Sequence, residues 1–183
     1  MITQKSLLAF LSILSMFHYV DNSYAQENQR KFGSLPTISA ETDKGEHLSS
    51  ADLKNKYLVI NFFFTSCEGP CPILMEQVRK LAADLKNEDI RFLSFTVDQK
   101  TDTLPALKEY RIKRNLLDPR ILLLRTSESE LHKLLNDDFK LGSGDSPVEH
   151  STRFVLIDKD GKIRSFFSGS YTDLLRSVNE MLE

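Results

Sequence analysis

The sequence predicts an α/β fold, a central mixed β-sheet flanked by helices, and three observations predict it. Short runs rich in β-branched and aromatic residues recur along the chain, each bounded by polar or turn residues, as buried strands require. Segments with apolar residues at helical spacing alternate with them. The last two runs are separated by a turn containing Asp160-Gly161, a hairpin signal that makes those two strands antiparallel neighbours.

The elements follow in order. Lys5 precedes the apolar run "LLAFLSILSMF", and Ser23-Tyr24-Ala25 then offers small residues at −3 and −1, so residues 1–25 read as a secretory signal cleaved after Ala25. The run from Leu7 to Phe17 is shorter than the ~20 apolar residues that span a bilayer, and no membrane span is expected in the mature chain. Residues 26–34 are polar and aperiodic, a flexible arm, and residues 35–183 form one domain. "TISAETDKGEHLSSADLKNK" mixes short apolar positions with Asp43 and Gly45, which suits a small hairpin or an irregular cap.

The strands are "YLVINFFF", "IRFLSFTV", "RILLL", "RFVLID" and "KIRSFFSG". Leu74, Val78, Leu81 and Leu85 put one stripe on a helix running from the cysteines to about Asn87. Further helices fall in "TLPALKEYRIKRN", "SESELHKLLNDDF" and "YTDLLRSVNEML". A net charge of −2 with 27% charged residues offers no basic stripe, which excludes nucleic acid as a partner class.

The two cysteines, Cys67 and Cys71, follow the first long strand with only Glu68, Gly69 and Pro70 between them. A structural disulfide, a redox pair, a metal site and two buried thiols are all open at this point. The strand-to-helix junction is where open α/β sheets place their ligands, which favours function. Pro70 and Pro72 suit a first helical turn, and with both cysteines in that turn the i, i+4 spacing aligns their side chains. Free N–H groups at the helix start would favour thiolates, which suit Cu(I) or thiol exchange. A metal reading needs a third ligand. Of the three histidines after the signal, His47 and His132 read as solvated, whereas His150 immediately precedes a core strand expected beside the first one. Asp98 and Glu68 read as a cap and a turn acid able to tune the site, not as ligands.

The segments "NFFFTSCEGPCPILMEQV", "RFLSFTVDQKTDTLPALKEY" and "VEHSTRFVLIDKDGKI" resemble the SCO/SenC family of thioredoxin-fold copper-binding proteins. The resemblance covers most of residues 35–183 and implies copper, as Cu(I) or Cu(II), held by Cys67, Cys71 and His150. It further implies a periplasmic metallochaperone whose partner is the copper-bearing subunit of cytochrome c oxidase, or another copper chaperone, and which delivers the metal, reduces the acceptor's cysteines, or both. Thr152 stands where thioredoxin-like reductases carry proline. Glu149 replaces the family's usual Asp, Pro105 sits one place late, and tryptophan is absent. The alternatives are a metal-free thiol-disulfide oxidoreductase in which Cys67 and Cys71 are catalytic, and a peroxidase-like enzyme with Cys67 as nucleophile near Thr65.

Overall fold

The computed structural model describes residues 32–142 and 152–183. A compact unit runs from Ser34 to Glu183, and the architecture below is that unit's. Among the described residues its strands are β1 (Ser39–Thr42), β2 (His47–Ser49), β3 (Tyr57–Phe63), β4 (Ile90–Thr96), β5 (Ile121–Arg125), β6 (Phe154–Ile157) and β7 (Ile163–Phe167). They form one sheet in the order β2-β1-β5-β4-β3-β6-β7. β3, β4 and β5 are parallel, and the outer strands pair antiparallel. The three parallel strands are buried almost continuously, which is why they read as unbroken apolar runs.

Helix α1 (Cys71–Asp84) links β3 to β4, and α2 (Leu104–Lys113) links β4 to β5. Both connections step the same way across the sheet, so right-handed crossovers put both helices on one face. α4 (Tyr171–Leu182) joins them there, and Leu74, Val78, Leu107, Tyr110, Leu174 and Val178 meet Val59 and Phe63 in one apolar cluster. The opposite face is closed by α3 (Glu128–His132) and the π-helical segment Lys133–Asp138 that continues it. Phe139 there meets Phe62 edge-on at 6.2 Å, and Phe62 stacks on Phe95 at 5.9 Å.

Three details depart from the sequence expectation. α1 ends at Asp84, where Leu85 turns extended, because Arg120 at the head of β5 takes the helix's terminal carbonyls. Its guanidinium donates to Ala82 O, Leu85 O (2.7 Å) and Asn87 O (3.1 Å), supplying the donors that a helix end lacks. The third helix is α-helical only to His132; the Phe139 N–H reaches back five residues to Leu134 O (2.9 Å), bringing Phe139 into the buried face with Leu134 and Leu135. The N-terminal hairpin is a true extension of the sheet, since β1 pairs with β5. Asp43 beside it is 1% exposed and makes a two-pronged ion pair with Arg111 of α2 (2.6 and 2.8 Å). The β6–β7 turn needs its glycine: Gly161 has φ +75° and its N–H donates to Asp158 O at 2.9 Å.

Candidate functional site

β3 and β4 end side by side, with the Val97 N–H donating to Phe63 O at 2.8 Å, and the chain leaves β3 into the turn that carries Cys67. The Cys67 N–H closes that turn on Phe64 O (3.3 Å). Glu68 and Gly69 are exposed, Pro70 caps α1, and Cys71 is its first residue. The two cysteines therefore do not share a helical turn as expected. A residue preceding proline is steered away from helical backbone, so Gly69-Pro70 stops α1 from reaching back to Cys67. The loop, not the i, i+4 repeat, brings the sulfurs together.

Both thiols are free and buried. Cys71 is fully enclosed, and burial, followed by the hydrogen bond its thiol donates to Cys67, pushes it up to about 12. Burial also opposes ionisation of Cys67. There the S–H of Cys71 and the backbone N–H groups of Cys71 and Gly69 outweigh it and hold the thiol below its ordinary value. The thiolate is thus favoured at Cys67 over Cys71, and Cys71 donates a hydrogen bond to it.

Two further residues at this end of the sheet escaped the sequence reading. Asp102 is fully buried in the turn before α2, and its carboxylate accepts from the Thr65 N–H (3.0 Å), the Thr65 hydroxyl (2.5 Å) and the Thr96 hydroxyl. Tyr110 of α2 is 4% exposed, with its ring against Phe63 at 5.3 Å and Arg114 over it at 5.4 Å. The Tyr110 hydroxyl is buried beside Arg114. Burial, Arg114's charge opposing and thiolate charge on Cys71 and Cys67 reinforcing, pushes it up to about 12. The only signal for either was a polar residue where its element meets the core.

Asp98 closes its own turn: the Thr101 N–H donates to it at 3.0 Å and, as the main cause, holds it below the usual carboxylate value. His47 and His132 are exposed, on the edge strand β2 and on α3 of the opposite face. His150, with Glu149, lies outside the described residues. The strand it precedes, β6, runs antiparallel to β3 with Ile60 opposite Val155, so the chain enters β6 from the end where β3 delivers Cys67. Among the described residues, no group of three or more His, Cys, Asp or Glu side chains is arranged to hold a metal, and no helix is long and apolar enough to cross a membrane.

A mixed sheet with a buried thiol pair at the start of the helix after its central strand defines a thioredoxin-like dithiol protein. Residues 36–182 match the SCO1/SenC family model. The SCO1 protein homolog of Bacillus subtilis is 30% identical over 145 residues, which cover 73% of this chain and 75% of that one. A putative copper-binding protein of Stutzerimonas stutzeri is 25% identical over 137 residues, 72% of this chain and 67% of its own. The solved structure of BsSco, described as a member of the Sco family of cytochrome c oxidase assembly proteins with a disulfide switch, superposes with TM-score 0.70 at 25% identity, over 82% of this chain and 94% of that one. This chain belongs to the SCO1/SenC family.

Proposed function

We propose that this chain is an exported copper metallochaperone that carries copper on the thiolates of Cys67 and Cys71 and the imidazole of His150. In this reading it serves assembly of the binuclear copper centre of cytochrome c oxidase, and residues 1–25 are the export signal. The single observation that carries it is the hydrogen-bonded pair of free thiols at the α1 N-terminus, one sulfur favoured as thiolate. Two soft sulfurs suit Cu(I), and an imidazole extends the set to Cu(II). His150 is four positions before Phe154, a reach of at most about 14 Å from the head of β6, which faces the cysteine end of β3. The family membership and the copper-binding relative support the choice of copper over zinc.

Copper is cargo here, and the sulfurs that hold it are also able to do thiol chemistry. As a reductant, the Cys67 thiolate attacks one sulfur of an acceptor disulfide and releases the other as thiolate. Cys71, after losing its proton, then attacks the Cys67 sulfur of the mixed disulfide and expels the acceptor's second thiolate, so the acceptor gains two electrons and this chain leaves as the Cys67–Cys71 disulfide. A metal-free oxidoreductase remains the second reading, and the disulfide switch described for BsSco favours keeping it.

Titration of the reduced chain with Cu(I) against a competing chelator tests the proposal. One equivalent is expected, with binding severely weakened in Cys67→Ser and His150→Ala. Absence of copper binding, with rapid turnover of a dithiol substrate that His150→Ala leaves unchanged, would favour the second reading.

A further inference from the structure

We infer that Asp102 is a positioning residue for the two-thiol site, holding the cysteine turn in place by gripping Thr65 and Thr96 at once. The inference rests on the dithiol reading of Cys67 and Cys71 and adds a residue that the cysteine motif does not contain. Asp102 is 37 residues from Thr65 in sequence, and its carboxylate is fully buried.

The grip is specific in three ways. Both polar groups of Thr65, the N–H at 3.0 Å and the hydroxyl at 2.5 Å, go to the same carboxylate, one to each oxygen. The oxygen that takes the N–H also takes the hydroxyl of Thr96, the last residue of β4. The Asp102 backbone is itself fixed, its N–H donating to Asp98 O at 3.0 Å. The path from a rigid central strand to the start of the cysteine turn thus runs through one side chain, and Cys67 lies two residues beyond Thr65. From Glu68 to Pro70 the same turn is exposed.

A turn held at its start keeps the Cys67 sulfur within reach of Cys71, so the cost of ordering the pair is met on folding instead of at each metal loading or disulfide closure. Free of that grip, the sulfurs would spend part of their time apart. Both metal chelation and disulfide formation then weaken together, because both need the sulfurs converged. An effect on both at once is what separates positioning from a general contribution to stability.

The test uses the full mature chain in four forms: wild type, Asp102→Asn, Thr65→Val and Thr65→Ser. Cu(I) affinity is measured against a chelator. The Cys67–Cys71 equilibrium is measured separately in a glutathione buffer, where the protein disulfide and two glutathione thiols exchange for the protein dithiol and one glutathione disulfide. Asp102→Asn and Thr65→Val are expected to lower copper affinity about 10- to 100-fold, as loss of a residue supporting metal ligands typically does. They should also shift the exchange about tenfold towards the dithiol, equivalent to about 30 mV. Thr65→Ser keeps the hydroxyl and should behave as wild type in both. Should Asp102→Asn fail to fold, the Thr65 pair carries the test alone, since Thr65 is only half-buried. Thr65→Val with both equilibria within twofold of wild type would overturn the inference and leave Asp102 a structural residue. Failure of the wild type to bind copper would instead overturn the chaperone reading, while the glutathione equilibrium still decides the role of Asp102.

Discussion

Cys67 and Cys71 are four positions apart and chemically unlike. Cys67 keeps 8% of its surface and receives hydrogen bonds from Cys71 and from two N–H groups, whereas Cys71 is sealed and pushed up to about 12. Iodoacetamide at neutral pH should therefore modify Cys67 first and leave Cys71 largely protected, which peptide mass spectrometry reads directly; equal rates would contradict the asymmetry. Tyr110 yields a second prediction at this scale. Its hydroxyl is buried, so ionising it in the folded chain is costly, which urea unfolding from neutral to alkaline pH measures. The folded value, about 12, lies above the ordinary 10.0, so the protonated tyrosine's contribution is complete below pH 10 and is lost as pH rises towards 12. Tyr110→Phe should flatten that alkaline loss. The cysteine pair was legible because its spacing is written in adjacent residues. Asp102 and Tyr110 were not, because their meaning lies in contacts with Thr65 and Phe63 that no local pattern encodes.

Among the elements, the long-range ties decide where helices stop and how they sit. Arg111 of α2 and Asp43 beside β1 form an ion pair that is nearly fully buried, with side-chain exposures of 13% and 2%. Arg111→Met strands a buried carboxylate and should cost about 3–5 kcal/mol in denaturant unfolding. Asp43→Asn should also destabilise, and the double variant should lose less than the sum of the two, since the pair is broken once. Additive losses would show that the two residues act independently. Among the described residues, sequence pattern located the four helices and five of the seven strands, since each helix and the parallel strands carry an apolar stripe or run. It missed the cut at Leu85, which depends on Arg120 some 35 positions away, and the π segment, which depends on where Phe139 must land against Phe62.

For the molecule as a whole, the sheet order explains how segments far apart in the sequence reach one end of the sheet. β3 delivers the cysteines, β4 and the turn after it deliver Thr96 and Asp102, and β6 starts at the same end of the sheet. The hairpin signal at Asp158–Gly161 and the apolar runs made this mixed sheet legible, whereas the pairing of β1 with β5 had no local signature in so short a strand. The central proposal is that the sulfurs of Cys67 and Cys71 and a nitrogen of His150, far from them in the sequence, close on a single copper ion. Copper-edge X-ray absorption of the Cu(I)-loaded mature protein tests it most directly. The account predicts two sulfur ligands and one imidazole nitrogen, the nitrogen vanishing in His150→Ala. A wild-type spectrum with no imidazole contribution, or one unchanged in His150→Ala, would contradict it.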